Sequence, residues 1–209
     1  MVNLESLIAP RDEAPNPFRL SAAGKCARRL GYELHYPQEV PPVEPRVVAI
    51  FELGSLIHDW MRGKLSALYG ERFHSVERPV ELEVEPGFAV PGHIDGILET
   101  EEGPLLLDIK SASDKSAQNM SSNGAPYEYR AQVNAYLEAT GLQKGALVVY
   151  NKNTSEVTTL PVDHDPTVVA QIKERFRAVR HSTPEQLPER EHEASSFACR
   201  YCPFRGRCW

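Results

Sequence analysis

Hydrophobic residues recur every three or four positions in several stretches of the chain, a period that indicates helices with one apolar face. A first helix is predicted from the good helix formers that follow Ser21, a hydroxyl residue of the kind that caps helices, and Pro37 closes it. The second helix shows the apolar period and ends before Gly70. The third ends before Gly141, another residue that favours the end of a helix. The pattern predicts four helices, at about 21–35, 47–68, 127–140 and 166–180.

Between the second and third helices the period changes to two, the alternation typical of strands with one buried face. Pro86-Gly87 separates two alternating runs, which predicts a β-hairpin. Residues 105–110 form a continuous apolar run that ends in polar residues, as in a buried central strand. Residues 146–150 have the same character, and 157–162 are predicted to pair with them. The polar segment 111–125 is predicted to be a loop.

Composition and length are typical of one globular domain. The 209 residues are 41% hydrophobic and 25% charged, so we expect a single domain over residues 1–209. Every apolar run is shorter than the roughly 18 residues of a membrane helix. The first twenty residues contain three prolines and Glu5, which excludes the apolar core of a signal peptide. We therefore expect a cytoplasmic protein, or one of the host cytoplasm if viral, with no membrane partner.

The net charge and the cysteine content limit the functions that the chain can have. A net charge of −6, from 23 basic and 29 acidic residues, argues against a protein that coats nucleic acid with its whole surface. A local basic groove remains compatible with it. In a reducing compartment, four cysteines with metal-ligand spacing are expected to be ligands rather than two disulfides.

Two carboxylates and one amine are predicted to meet on neighbouring strands. Asp95 lies near the end of one strand, and the alternation of the next strand puts Asp108 and Lys110 on one face. Close carboxylates repel each other unless a hard cation such as Mg²⁺ or Mn²⁺ neutralises them. Such a cation activates water and polarises phosphate, while Lys110 orients that water or stabilises the developing charge. This trio predicts phosphodiester hydrolysis, although Asp-x-Lys also occurs by chance on ordinary surface strands.

Four motifs follow one another along the chain: Gly54-x-x-x-His58, Gly92-His93-Ile94-Asp95-Gly96, Asp108-Ile109-Lys110 and Gln132-x-x-x-Tyr136. Their order resembles the RecB-type branch of the PD-(D/E)xK nuclease superfamily. The resemblance implies an α/β (α+β) restriction-endonuclease-like core, in which helices flank a central mixed sheet. It also implies a metal site formed by His58, Asp95, Asp108 and the backbone carbonyl of Ile109. Catalytic roles are implied for Lys110, Asp95, Asp108, Gln132 and Tyr136.

The cysteines divide into one and three. Cys199, Cys202 and Cys208 lie close together in the sequence, whereas Cys26 is 173 residues before the first of them. A zinc ribbon would normally present two close pairs. The one-plus-three division therefore favours an iron–sulfur cluster with four thiolate ligands, with zinc or unligated thiols as the alternatives.

This cysteine pattern, placed around the nuclease motifs, resembles the iron–sulfur RecB-like exonucleases, among them the CRISPR-associated Cas-four family and its viral relatives. The resemblance implies a [4Fe-4S] cluster that ties the N-terminal helix to the C-terminal tail, with 21–36 and 195–209 forming a cluster subdomain. It further implies an exonuclease acting on single-stranded DNA ends with 5′ to 3′ polarity. CRISPR adaptation, viral DNA metabolism and recombination or repair are the contexts it suggests.

Basic side chains near the cysteines predict a DNA path beside the cluster. The alternative is that they only offset the charge of the anionic thiolates. Tyr201, Phe204 and Trp209 are aromatic neighbours that would stack on bases or pack around the cluster. The predicted DNA-binding residues are Lys25, Arg28, Arg29, Arg200, Arg205 and Arg207.

Two other classes of function stay open from the sequence. One is a noncatalytic adaptor that binds DNA ends, and the other is a redox sensor that uses the cluster, each as a module of a larger nuclease complex. The sequence also leaves open a protein partner, such as an integrase or another nuclease, and assembly into a homo-oligomer.

Overall fold

The computed structural model describes residues 8–12 and 14–209, which divide into two compact units. The first unit contains Lys25–Ser55, Arg175–Trp209 and the described residues that precede Phe18. The second contains Phe18–Gly24 and Leu56–Glu174. All four cysteines belong to the first unit, and the motif residues from His58 to Tyr136 belong to the second. The predicted cluster subdomain of 21–36 and 195–209 stays a prediction.

The chain forms seven strands and seven α-helices among the described residues. The strands are β1 (Phe73–His74), β2 (Arg78–Glu85), β3 (Phe88–Ile94), β4 (Gly96–Thr100), β5 (Gly103–Ala112), β6 (Lys144–Asn151) and β7 (Val157–Asp163). The helices are α1 (Ala27–His35), α2 (Pro45–Tyr69), α3 (Asp114–Asn123), α4 (Tyr127–Thr140), α5 (Pro166–Arg180), α6 (Phe197–Arg200) and α7 (Arg205–Cys208).

The second unit is built on a five-stranded mixed sheet with the strand order β1-β4-β5-β6-β7. Strands β5 and β6 pair in parallel, and the other neighbours are antiparallel. A parallel pair needs a long crossover connection, which α3 and α4 provide here. The α+β class and the mixed sheet flanked by helices are therefore as expected from the sequence.

Strands β2 and β3 form a separate two-stranded sheet joined at Pro86-Gly87, which confirms the predicted hairpin. Gly87 has φ of +78°, a conformation that favours glycine in tight turns. The run that begins with β3 does not continue as one strand, because it breaks at Asp95 and resumes as β4 in the larger sheet. This break places Asp95 between the two sheets.

Helix α2 packs on the hydrophobic core of the larger sheet. Met61 of α2 packs in one cluster with sheet residues Phe73, Leu107, Ile109 and Val148, all of them buried. The predicted bounds of α2 are confirmed within two residues. The prediction of one apolar face was wrong for much of this helix, because six of its large apolar residues are exposed: Ile50, Phe51, Leu53, Leu56, Trp60 and Leu68.

The first helix begins later than predicted. Residues Leu20–Ala22 form a 3₁₀ turn, and Cys26 rather than Ser21 is the N-cap of α1. The chain passes close to α4 before α1 begins, since a Cβ on Gly24 would lie 2.4 Å from Cα of Glu128. Such close packing requires a residue without a side chain.

The predicted loop 111–125 was wrong, because it contains α3. Ser113 caps this helix by accepting a hydrogen bond from the backbone N–H of Ser116. Only Ala117 and Met120 on α3 are buried, so its polar composition concealed the helical period. Predicted helices 127–140 and 166–180 are confirmed as α4 and α5. No helix in the described ranges is long and apolar enough to cross a membrane.

Replacement of Gly96 by alanine should destabilise the second unit, because the added Cβ would meet the Phe73 ring at 2.4 Å. Overpacking of this kind typically costs about 1–3 kcal/mol. Urea unfolding followed by circular dichroism measures the change. Gly63→Ala is the matched control, since Gly63 lies in α2 with nothing within 4 Å of its added Cβ. The control should gain about 0.5–1 kcal/mol, and equal stability of the two variants would contradict the prediction.

Candidate active site and cysteine cluster

Asp95 and Asp108 meet where β4 leaves the hairpin and pairs with β5. Gly96 is opposite Leu107 in the antiparallel ladder, so the preceding Asp95 reaches the next position of β5. There the backbone N–H of Ile109 donates to Asp95 Oδ2 at 2.7 Å. The Asp95 carboxylate thus takes the place of a ladder acceptor. The Ile109 carbonyl points to the same edge of β5, because the N–H and C=O of one strand residue share a side.

Two glycines flank Asp95 and admit large neighbours. A Cβ on Gly92 would lie 2.9 Å from the Tyr136 ring, and a Cβ on Gly96 would enter the Phe73 ring. The Gly92-x-x-Asp95-Gly96 spacing therefore has a steric reason beyond the carboxylate. It lets the break between β3 and β4 pack against α4 on one side and β1 on the other.

The two carboxylates have opposite electrostatic environments. Burial acts to raise the pKa of Asp95, but the hydrogen bond and charge of His58, the Ile109 N–H and Lys110 lower it below the ordinary value. Burial and the nearby Asp95 charge raise the pKa of Asp108, although Lys110 opposes them. Asp95 is thus held as the anion, whereas the ionised form of Asp108 is disfavoured in this environment.

Lys110 links the acidic pair to α4. Its Nζ lies 2.8 Å from Asp108 Oδ2 and donates to Gln132 Oε1 at 3.0 Å. Gln132 in turn donates from Nε2 to the Tyr136 hydroxyl at 3.1 Å, so both α4 residues share the face predicted for them. Burial lowers the pKa of Lys110, but the Asp108 and Asp95 charges outweigh it and raise the pKa above its ordinary value. Lys110 is therefore held as the ammonium ion.

His58 contacts the same acid from α2. Its Nδ1 lies 3.2 Å from Asp95 Oδ1, and its side chain is 26% exposed. The structure therefore brings together all the predicted residues of this site: His58, Asp95, Asp108, Ile109, Lys110, Gln132 and Tyr136.

Arg62, Glu77 and Tyr129 are part of the same constellation, and the sequence reasoning missed all three. Arg62 follows His58 by one helical turn and donates from NH1 to Asp95 Oδ1 at 2.8 Å. The same nitrogen contacts Glu77, and the Lys110 ammonium lies 5.2 Å from the centre of the Tyr129 ring. The i, i+4 spacing of His58 and Arg62 was the available signal, because it puts both side chains on one helix face.

A sequence model of the PD-(D/E)XK nuclease superfamily matches residues 62–209, more than two thirds of the 209-residue chain. The chain belongs to this superfamily. The resemblance seen in the motifs is thereby confirmed at the level of the superfamily, and membership indicates a nuclease with a DNA substrate. PD-(D/E)XK nucleases use divalent metals.

Solved structures agree with this PD-(D/E)XK fold. The protein SSO0001 has a TM-score of 0.60 and 18% identity over 98% of this chain and 90% of its own. The alkaline exonuclease LHK-Exo from Laribacter hongkongensis, in complex with dAMP, has a TM-score of 0.53 and 17% identity over 78% of this chain and 89% of its own. At these identities the likeness concerns the fold alone. No curated protein matches the sequence significantly.

The acidic site of this nuclease fits a hard divalent cation in its donor chemistry. Asp108 is buried, and its Oδ2 contacts the Lys110 ammonium at 2.8 Å. Two carboxylates buried beside each other are costly unless a cation neutralises them. Donor atoms of His58, Asp95 and Asp108 do not all lie within 4.8 Å of one another in the described structure. Binding would therefore draw these side chains together.

The four cysteines are free thiols within the first unit. Burial raises the pKa of Cys26 and of Cys202, and the neighbouring thiolate charges contribute to both shifts. The charge of Cys202 raises the pKa of Cys26, and the charges of Cys199 and Cys208 raise the pKa of Cys202. Cys26 and the three C-terminal cysteines are therefore neighbours in space. Backbone N–H groups of Arg28 and Arg29 hydrogen-bond the Cys26 sulfur at the start of α1.

The spacing of the thiols bears on the metal they would hold. Four thiolates on one zinc ion, at about 2.3 Å each, stand about 3.8 Å apart. Among the described residues, no three thiols lie within 4.8 Å of one another; Cys26, Glu191 and His192 form the set of three donors that does. The described thiols therefore do not stand at the spacing of a zinc site in this structure.

Several predicted DNA-binding residues have partners within the first unit. Arg29 pairs with Glu33 at 2.9 Å, and Arg207 pairs with Glu39 at 2.6 Å. Arg28 donates to the Pro188 carbonyl at 2.8 Å and Arg200 to the Ser195 carbonyl at 3.1 Å, while Arg205 is exposed and Lys25 is half-buried. Their role in binding DNA stays a prediction.

The aromatic residues near the cysteines differ in exposure. Phe204 is 2% exposed and stacks on the Tyr32 ring with the centroids 5.1 Å apart, so it packs in the core of this unit and is not a stacking surface for bases. Tyr201 is 74% exposed and Trp209 49% exposed. Phe197, which the sequence reasoning did not single out, is 75% exposed beside Tyr201.

Proposed function

We propose that the chain is a deoxyribonuclease that depends on Mg²⁺ or Mn²⁺ and degrades single-stranded DNA from its ends. The observation that carries the proposal is the juxtaposition of Asp95, Asp108 and Lys110 across β4 and β5, in a chain of the PD-(D/E)XK superfamily. A noncatalytic adaptor would have no need of this arrangement. Polarity of 5′ to 3′ and a role in CRISPR adaptation, viral DNA metabolism or repair rest on the family resemblance alone.

Each residue of the site has a proposed task. Asp95, Asp108 and the Ile109 carbonyl, with His58, would hold the cation. When bound, such a cation polarises a phosphate oxygen and lowers the pKa of a bound water. Lys110 remains protonated and stabilises the charge that develops on the phosphate in the transition state. Gln132 holds the Lys110 ammonium in place through its amide oxygen, and the Tyr136 hydroxyl holds Gln132.

The exonuclease character has a separate support. LHK-Exo, whose fold resembles that of this chain, was crystallised with dAMP, a mononucleotide of the kind that an exonuclease releases. Degradation of linear strands labelled at the 5′ or the 3′ end, with Mg²⁺, Mn²⁺ or EDTA, tests the proposal. We expect metal-dependent release of mononucleotides from the linear strands and resistance of a closed single-stranded circle. Cleavage of the circle at the same rate would indicate an endonuclease.

We propose a [4Fe-4S] cluster as the ligand of Cys26, Cys199, Cys202 and Cys208. The proximity of the four cysteines and the backbone N–H groups directed at Cys26 support it, since hydrogen bonds to sulfur are a usual feature of such clusters. Its role would be structural, because it joins the start of α1 to the C-terminal tail. Exposed Arg200, Arg205 and Tyr201 lie in the same tail and are the residues of this unit best placed to meet DNA.

Replacement of Asp108 by alanine should abolish cleavage, because the cation and the water that it activates are lost together. Release of labelled nucleotides measures the effect, and circular dichroism checks the fold. Asp163→Ala, which changes an exposed acid on the same sheet, is the control and should retain the wild-type rate. Cleavage at the wild-type rate by the Asp108 variant would remove this acid from the site.

Replacement of Lys110 by alanine should lower the cleavage rate about 10²- to 10³-fold, the usual cost of losing one preorganised charge at the transition state. Lys115→Ala, at an exposed position of α3, controls for the loss of a lysine and should have no effect. A Lys110 variant within twofold of the wild-type rate would show that this ammonium has no part in the reaction.

Replacement of Cys26 by serine should give a colourless protein that unfolds more easily. The cluster closes a loop nearly as long as the chain, so its loss should cost several kcal/mol, by analogy with about 2–5 kcal/mol for a native disulfide. Iron and sulfide analysis of anaerobically purified protein, with thermal unfolding, measures both effects. The Asp108 variant should stay brown and stable. Stoichiometric zinc without visible absorption in the wild type would contradict the cluster and leave the nuclease proposal intact.

A further inference from the structure

Arg62 on α2 joins three carboxylates that come from different parts of the second unit. Its guanidinium donates to Asp95 at the break between β3 and β4, to Glu77 just before β2, and to Asp59 on α2 itself. The Arg62 side chain is only 14% exposed, whereas those of Glu77 and Asp59 are 53% and 68% exposed. Arg62 therefore connects the buried acid of the site to two acids at the surface.

The contacts of Arg62 complete the set of donors around Asp95. Oδ1 of Asp95 contacts both His58 Nδ1 and Arg62 NH1, and Oδ2 accepts from the Ile109 N–H. A carboxylate held through both oxygens from three directions cannot rotate about its Cβ–Cγ bond without breaking at least one contact. The planar guanidinium fixes the geometry more tightly than an ammonium group would.

Charge balance determines whether Arg62 opposes or assists a bound cation. A lone guanidinium that is hydrogen-bonded to Asp95 at 2.8 Å would repel the cation and compete with it for this carboxylate. Glu77 and Asp59 each contribute a negative charge to the same guanidinium, so Arg62 adds no net positive charge to its surroundings. Since Arg62 binds Oδ1, Oδ2 accepts the Ile109 N–H and keeps its second lone pair for a cation.

We propose that Arg62 is a positioning residue, which holds the Asp95 carboxylate in the orientation that the divalent cation requires and thereby sets the affinity for that cation. Glu77 anchors Arg62 in this position. Residues that hydrogen-bond a metal ligand from outside commonly contribute about 10- to 100-fold to the affinity for the metal. The inference rests on the proposed metal-dependent nuclease and adds to it a residue that acts through Asp95 rather than on the substrate.

Calorimetric titration with Mn²⁺ alone, without DNA, tests this role. Arg62→Gln should bind Mn²⁺ about 10- to 100-fold more weakly than the wild type. The Mn²⁺ affinity of Arg62→Lys should lie between those of the wild type and Arg62→Gln, because an ammonium group keeps the charge but lacks the planar donors of the guanidinium. Lys64→Gln is the matched control, since it removes a positive charge from an exposed position two residues along α2. Its affinity should be that of the wild type.

A double-mutant cycle tests whether Glu77 holds Arg62 in position. Glu77→Gln should weaken Mn²⁺ binding, and the variant that carries both Glu77→Gln and Arg62→Gln should bind no more weakly than Arg62→Gln by itself. In nuclease assays the Mn²⁺ concentration for half-maximal rate should rise in Arg62→Gln, while the rate at saturating Mn²⁺ recovers to within about threefold of wild type. A purely structural defect would instead lower the rate at every Mn²⁺ concentration.

Mn²⁺ binding by Arg62→Gln that is as tight as in the wild type, or tighter, would overturn the proposal, since tighter binding would mark Arg62 as a competitor of the cation. Additive effects in the double variant would overturn the role of Glu77. Should Arg62→Gln fail to fold, Arg62→Lys and Glu77→Gln carry the same test. Failure of the nuclease proposal is a different result, in which the wild type itself binds no Mn²⁺ and cleaves no DNA.

Discussion

Asp95 and Asp108 bring two negative charges into one largely buried site, and such charges are stable there only if positive partners and hydrogen-bond donors compensate them. The other features of the second unit provide this compensation. The break after β3 lets Asp95 accept the Ile109 N–H, and Lys110 lies against Asp108. Arg62 and His58 contact Asp95 from α2. The strand break and the α2 side chains thus meet one electrostatic requirement, and the two flanking glycines allow close packing around it.

The negative charges of Asp95 and Asp108 are not compensated equally, and this difference prepares the site for a cation. Asp95 accepts hydrogen bonds on both oxygens, whereas Asp108, buried beside it, is compensated at Oδ2 by the Lys110 ammonium 2.8 Å away. The raised pKa of Asp108 reflects the same imbalance, since burial and the Asp95 charge disfavour its ionised form. A divalent cation would supply what the protein groups leave incomplete.

Most of the site could be predicted from the sequence, because its residues lie in short motifs with definite periods. Period two placed Asp108 and Lys110 on one strand face, and a helical turn placed Gln132 with Tyr136. Arg62 shares the helical period of His58, but Glu77 could not be found in this way, since its contact with Arg62 depends on the packing of α2 against the turn before β2. Helix α3 was missed because only two of its residues are buried, and no local pattern encodes the close approach of Gly24 to Glu128 in the segment where a helix was predicted.

Diffraction from crystals soaked in Mn²⁺, measured at the manganese absorption edge, shows whether the two acids hold a cation. We expect an anomalous peak bound by the carboxylates of Asp95 and Asp108, at Mn²⁺ concentrations that support cleavage. Absence of density between these two acids, or a peak confined to Cys26, Glu191 and His192, would contradict it.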